Sequence, residues 1–213
     1  MQFAKEVWPF VVPVAGLATL LAGFGDPKWA AAAGLVAVGL LLFFRIPIRH
    51  VQPVDDLALS PANGKVLKID RCEDPNMGPD EYHRVVIFLS VFNVHVQRSP
   101  VGGQVAVSRY LPGRKLAAFN PQAGEVNEQQ LTVLRRPNGE LVGVKQIAGL
   151  LARRVVTYLE PGQEVTQGAL MGIIKFGSRV DLLLPLSYHL QVEVGQKLHE
   201  GSSIVARLRE ELP

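Results

Sequence analysis

Gly162-Gln163-Glu164-Val165-Thr166-Gln167-Gly168 and, further along, Gly195-Gln196-Lys197-Leu198-His199-Glu200-Gly201 are two copies of one pattern, G-Q-x-[V/L]-x-x-G. Each copy leads into apolar residues, Ala169-Leu170 in the first and Ile204-Val205 in the second. Glycine at the two ends of such a unit supplies the positive φ of a tight turn, which a side chain would strain. The repeat therefore reads as a pair of hairpin units. Working outward, Val85-Val86-Ile87-Phe88-Leu89-Ser90-Val91-Phe92 has the composition of a buried strand. Gly102-Gly103, Pro112-Gly113, Pro137-Asn138-Gly139 and Pro161-Gly162 punctuate the rest. Short apolar stretches between such turn signals predict an all-β sandwich or barrel. The stretch 147–154 reads equally well as strand or as a helical turn.

The N-terminal part has a different character. Val7 to Phe24 carries no charged residue, and after Gly25-Asp26-Pro27-Lys28 the run from Trp29 to Phe44 is again uncharged. A perpendicular membrane span needs about 20 apolar residues. These runs are slightly short, and Pro9 and Pro13 weaken the first, so the hairpin either spans or dips into one leaflet. Lys5 stands before it and Arg45 and Arg49 after it, which places both ends and the following domain in the cytoplasm, at the inner membrane. Trp8 and Trp29 sit near the run ends, where indole rings favour the interface. The expected organisation is a helical membrane hairpin over residues 1–50 and a β-rich catalytic domain over 51–213.

Composition excludes several classes. Of 213 residues one is cysteine, Cys72, so an intrachain disulfide, a zinc knuckle and a CxxC redox pair are ruled out. The formal net charge of +3 is small and scattered, and no basic helix or aromatic RNA-binding strand accompanies it, so nucleic acid is not the expected partner. A mild basic excess suits an anionic lipid surface. No metal-ligand cluster, nucleotide loop or flavin fingerprint is present.

Gly172-Ile173-Ile174-Lys175-Phe176-Gly177-Ser178-Arg179-Val180-Asp181-Leu182 reads as a strand broken by Gly-Ser and continued by a second strand. Alone, that pair is an ordinary turn or bulge. Its surroundings change the reading. Ser60-Pro61-Ala62-Asn63-Gly64-Lys65-Val66 precedes Phe88-Leu89-Ser90, Asn93-Val94-His95-Val96 and Arg98-Ser99-Pro100-Val101. Gln146-Ile147-Ala148-Gly149 with Ala152-Arg153-Arg154 follows, and Phe43-Phe44-Arg45 with Pro47 and Arg49 comes before them all. In this order the motifs resemble those of the short-form phosphatidylserine decarboxylases, which are made as proenzymes. The repeat, for its part, resembles the barrel-sandwich fold of lipoyl and biotinyl carriers, but no lysine stands at the tip of a matching hairpin. The implied fold is mainly β, a barrel-sandwich-like domain preceded by an N-terminal helical membrane hairpin.

The resemblance implies a chemistry. Ser178 attacks the carbonyl of Gly177, the amide becomes an ester, and elimination releases the upstream chain. What remains of Ser178 hydrolyses to a pyruvoyl group and ammonia. A serine hydroxyl needs a base for this, and His95, in the N-V-H-V motif, is the residue implied, with a pKa class suited to proton transfer near neutrality. Gly177 offers an unhindered carbonyl. The products are chains 1–177 and 178–213, held as a heterodimer, with a homo-oligomer of that pair also open. The pyruvoyl cofactor then serves as electron sink for decarboxylation of phosphatidylserine to phosphatidylethanolamine. Arg98, Arg153 and Arg179 are candidates to meet the anionic headgroup, because guanidinium binds carboxylate and phosphate in a fixed fork.

Two positions depart from the family pattern. Ile46 stands where an aspartate is usual. More consequentially, Asn63 stands where the family has the aspartate that assists the histidine, and an amide carries no charge to steady an imidazolium. If position 63 keeps its role, Asn63→Asp should process at least as fast as the parent. Three alternatives stay open: processing is slower here, Asn63-Gly64 deamidates to aspartate, or another acid serves, with Asp55, Asp56 and Asp181 near in sequence to these motifs. A tight Asn-Gly turn is the plain structural reading of Asn63-Gly64. Alternative functions are an unprocessed relative that binds lipid or a protein partner, and a membrane-tethered lipoyl-like adaptor.

Overall fold

The computed structural model describes residues 2–150, 154–175 and 178–209. The chain divides into two compact units, 1–48 and 49–213. In the first, α1 (Trp8–Gly23) and α2 (Pro27–Phe43) pair as a helical hairpin. Proline at the start of each helix presets the backbone and costs no hydrogen bond there. Leu17, Leu20, Trp29, Leu35 and Val38 are exposed, so the pair is apolar outside as well as inside. The short strands β1 (Gln2–Phe3) and β2 (Arg45–Ile46) pair, and Ala4 N–H donates to the Phe44 carbonyl at 2.9 Å, so both ends of the hairpin meet. The helical stretch Lys5–Gly23 is long and apolar enough to cross a membrane, while Pro27–Phe43 is shorter.

The second unit is built of strands. They are β3 (Leu57–Leu59), β4 (Gly64–Glu73), β5 (Glu81–Leu89), β6 (Val96–Arg98), β7 (Gly103–Leu111), β8 (Gln129–Arg135) and β9 (Leu141–Ala148). Then follow β10 (Val155–Thr157), β11 (Glu164–Val165), β12 (Leu170–Ile174), β13 (Ser178–Pro185), β14 (Tyr188–Leu190), β15 (Lys197–Leu198) and β16 (Ile204–Leu208). One short helix, α3 (Ala123–Val126), lies between β7 and β8. An eight-stranded antiparallel sheet runs β11-β7-β8-β9-β13-β5-β4-β15 and curls into half a barrel. Two three-stranded sheets, β10-β12-β6 and β14-β16-β3, complete the unit. Of the stretch 147–154, ambiguous from sequence, Ile147 and Ala148 end β9, and 151–153 lie outside the described residues.

This arrangement is built twice. The two G-Q-x-[V/L]-x-x-G units carry β11 and β15, which form the two edges of the large sheet. Their glycines all have positive φ: 85° and 80° at Gly162 and Gly168, 96° and 64° at Gly195 and Gly201. Gly162 N–H donates to Val105 and Gly195 N–H to Val66, each at 2.8 Å. Gly168 N–H reaches the Ser99 carbonyl and Gly201 N–H the Ser60 carbonyl, at 2.9 and 2.8 Å. Ser99 and Ser60 each open an S-P segment, and their hydroxyls donate to Val101 and Ala62. Even the irregularities repeat, with register shifts at Val66/Lys68 and at Val105/Val107. Gly64 is not at a positive φ: a Cβ there would lie 2.2 Å from the Phe88 carbonyl oxygen, so close strand approach, and not a tight turn, demands glycine. The core between the layers holds Val85, Ile87 and Leu89 of β5, Val180, Leu182 and Leu184 of β13, and Val144 and Ala148 of β9.

Candidate active site

Ser178 opens β13, which lies between β5 and β9; its register partners are Leu89 and Ala148, the last residues of those strands. Strand alternation puts its side chain on the face of Val180 and Leu182, toward the core. It is fully buried, and its Oγ has no hydrogen-bond partner among the described residues. Leaving a buried hydroxyl unsatisfied costs about 1–3 kcal/mol. Nothing described ties up this oxygen, which suits a nucleophile. Gly177, its expected partner in the scissile bond, lies outside the described residues.

His95 lies on the segment between β5 and β6 and is fully buried. Its carbonyl accepts from Ile174 N–H at 3.1 Å and from Gln97 Nε2 at 2.7 Å. Ile174 ends β12, the strand that leads toward Ser178, so the backbone of His95 is fastened to the approach of the Gly-Ser segment. Gln97 is held in turn by Gln146 Nε2 at 2.7 Å, and both glutamines are fully buried. The His95 ring places Nδ1 at 2.9 Å from the Asn93 carbonyl. A carbonyl only accepts, so Nδ1 carries the hydrogen, and in the neutral ring Nε2 is the basic nitrogen.

Asn93 is fixed through its side chain. Its Oδ1 accepts from Ser90 N–H at 2.9 Å and from Ser90 Oγ at 2.8 Å, and its Nδ2 donates to Asn63 Oδ1 at 3.2 Å. Asn63 Nδ2 donates to Glu200 Oε2 at 3.0 Å and lies 3.4 Å from His199 Nδ1. Glu200 is fully buried and pairs with Arg49, whose Nε is 3.2 Å from Oε1. Beside this chain a cavity of about 340 Å³ is lined by Asn63, Lys65, Phe88, Asn93, Lys197 and His199, among others.

The other expected residues are distributed as follows. Arg179 is buried and forms a fork with Asp181 at 2.6 and 2.7 Å, packed against Gly124. Arg98 is buried; its Nη1 donates to the Gly168 carbonyl at 2.8 Å and its stem lies against Gly201. Burial pushes the Arg98 pKa down, while the charge of Glu200 pulls it back up. Arg153 lies outside the described residues. Of the acids near the motifs in sequence, Asp181 is engaged by Arg179 and Asp56 by Arg207 at 3.2 Å. The acid bonded to Asn63 is Glu200, which sequence reasoning did not single out. Its signal was present: it occupies the sixth position of the second repeat copy, where the first has Gln167. Gln97, Gln146 and Asn93 were also missed, although two of them stand inside the quoted motifs.

A β domain with a buried serine at a strand start, without a partner among the described residues, and a buried histidine fastened to the strand that leads to it, has the makings of a self-processing site. A profile of the family Phosphatidylserine decarboxylase matches residues 39–206. The chain is 38% identical to the phosphatidylserine decarboxylase proenzyme of Nitrosomonas europaea, over 95% of this chain and 94% of that one. It is 36% identical to the proenzyme of that name from Burkholderia lata, over 97% and 96%. A Burkholderia ambifaria proenzyme of the same name is 37% identical over the same shares. The chain belongs to the phosphatidylserine decarboxylase family.

Proposed function

We propose that the proenzyme cuts itself between Gly177 and Ser178, that Ser178 is both nucleophile and precursor of the cofactor, and that His95 takes its proton. Family membership makes the chain an enzyme that decarboxylates phosphatidylserine, with a covalent pyruvoyl group formed from a serine. When present, that group supplies the electron sink for loss of carbon dioxide. The residues fit it: Ser178 Oγ is the buried polar atom without a described partner that such a conversion would consume.

The chain's own residues supply the rest. His95 Nε2 accepts the Ser178 proton, and the bond from Nδ1–H to the Asn93 carbonyl orients the ring and supports the imidazolium that results. Gln97 and Gln146 hold the backbone of His95 against β12. Chains 1–177 and 178–213 stay together as a heterodimer because β13, on the smaller piece, is hydrogen-bonded on both sides, to β5 and to β9 of the larger. We put the anionic headgroup in the cavity beside Asn63, and the Lys65 and Lys197 ammonium groups in its lining support this. Arg98, Arg153 and Arg179 remain candidates for the same task; the fork of Arg179 is already filled by Asp181.

The apolar N-terminal helix points to membrane association. We read residues 1–50 as the anchor and 51–213 as the catalytic domain on the cytoplasmic side of the inner membrane. Lys5 before the hairpin and Arg49 after it support this, as does the meeting of its two ends.

The observation that carries this reading is the buried hydroxyl of Ser178, without a described partner, on the strand that follows the Gly-Ser junction. Intact-mass measurement tests it. The parent should give two chains, the smaller starting at residue 178 with a blocked N-terminus. Ser178→Ala should stay one chain and have no decarboxylase activity, and His95→Ala should also remain uncut. Decarboxylation by Ser178→Ala would overturn the pyruvoyl reading.

A further inference from the structure

We propose that Glu200, held by Arg49, is the acid that positions and supports the self-cleavage base in this chain, acting through Asn63 and Asn93. The inference rests on His95 being that base. It explains how a family site works with an amide at position 63.

Glu200 is fully buried, on the turn that follows β15, far from His95 in sequence. A carboxylate does not stay there without compensation, since desolvation of a single charge costs several kcal/mol. Its compensation is specific. Arg49 meets Oε1 at 3.2 Å, Arg98 contributes a second favourable charge, and Asn63 donates to Oε2 at 3.0 Å. A carboxylate is acceptor-only, so it dictates which way the Asn63 amide points. The NH2 faces Glu200 and the oxygen must face away, toward Asn93 Nδ2 at 3.2 Å. That in turn leaves Asn93 Oδ1 for Ser90. Every donor in the series points toward the same buried charge, an arrangement in which successive bonds reinforce one another. The residue so fixed, Asn93, presents the carbonyl that holds His95 Nδ1. Glu200 acts on His95 through these two amides, and its role is positioning.

The geometry also reverses the expectation for position 63. An aspartate there would set two buried carboxylates about 3.0 Å apart. Such a pair cannot readily carry two charges, so one group must take a proton or move away. The charge is present already, one residue further out, and a second one disrupts the series.

A charge-transposition experiment on the full-length chain tests this, with self-cleavage followed by intact mass and folding by thermal melting. Glu200→Gln keeps the shape but presents both a donor and an acceptor, so the Asn63 amide is free to flip. Cleavage should slow by about tenfold, the factor that one pKa unit on the base corresponds to. Asn63→Asp alone should also cleave more slowly than the parent. The double variant Asn63→Asp/Glu200→Gln moves the carboxylate one step inward, where the side-chain amide introduced by Glu200→Gln can donate to it. It should recover at least the parental rate. A residue that merely stabilised the fold would give no such rescue. Parental cleavage by Glu200→Gln, or by Asn63→Asp, overturns the proposal, as does a double variant slower than both singles. If Glu200→Gln does not fold, the Asn63→Asp variant alone still decides. Cleavage of the parent at residue 178 and its loss in Ser178→Ala are read separately, so failure here leaves the assignment of Ser178 and His95 standing, while failure there is recognised by those controls.

Discussion

The two glycine-bracketed hairpins close opposite edges of one sheet, and they differ in what their sixth residue does. In the first, Gln167 is buried and neutral. Its Nε2 donates to the carbonyls of Leu57 and Pro100, at 2.8 and 3.1 Å, and its Oε1 accepts from Val54 N–H at 2.9 Å. It ties together the backbone of Val54, Leu57 and Pro100, a structural role. In the second, Glu200 is buried and charged, and it answers to side chains: Arg49 and Asn63. The neighbours differ accordingly. Gly102 follows Ser99-Pro100-Val101 at the position that Asn63 takes after Ser60-Pro61-Ala62. One scaffold, used twice, serves as a latch on one side and, on the proposed reading, as support for the reactive centre on the other.

The largest effect should come from making the latch resemble its counterpart. Gln167→Glu would bury a carboxylate facing the carbonyls of Leu57 and Pro100, without a cation among the described partners of Gln167. We expect a loss of about 3 kcal/mol or more in urea denaturation, as for other uncompensated buried charges. Glu200→Gln should cost only about 1 kcal/mol, because Arg49 is 28% exposed and can turn to water. Its effect should fall on cleavage instead. Equal losses for both variants would erase the distinction between latch and support.

The terminal glycines give a finer comparison. Gly168 has φ 80°, and a Cβ there would lie 2.5 Å from Val51 Cγ2. Gly201 has φ 64°, and its Cβ would lie 2.7 Å from Cδ of Arg98, part of a long side chain that can shift. Gly168→Ala should therefore cost about 2 kcal/mol, and Gly201→Ala about 1 kcal/mol, by thermal or urea unfolding. The reverse order would show that Arg98 is held more rigidly than Val51.

The smallest effect concerns the sheet between the hairpins. The hydrogen bond from Arg84 holds Asp70 down at about 2, with Lys68 assisting. A depressed carboxylate pKa stabilises the fold above the ordinary carboxylate range, and that contribution is lost as pH falls through about 2. Asp70→Asn should be less stable than the parent at neutral pH, with the gap closing on acidification toward about 2. Cleavage should be unchanged, since Asp70 and Arg84 face one another on β4 and β5 away from the Ser178 end. A gap that persists unchanged at low pH would mean that the ion pair is not its source.

Much of the fold was legible because its determinants are local. A glycine that must take positive φ, a short apolar strand and an uncharged helical run are each recognised within a few residues. The repeat at 162–168 and 195–201 thus announced two equivalent turns, and the structure has all four glycines in that conformation. The order of the motifs, with Ser178 and His95 among them, carried the family.

Tertiary structure decided what those residues meet. Asn63 and Glu200 stand 137 residues apart, Gln97 and Gln146 stand 49 apart, and neither pairing has a local signature. Both depend on strand register, in which a slip of one residue turns every side chain to the opposite face. The burial of Ser178 likewise follows from β13 being enclosed by β5 and β9. Sequence alone could state that an aspartate was missing at position 63. That a carboxylate waits 3.0 Å beyond it follows only from the folding of the second hairpin onto the edge of the sheet.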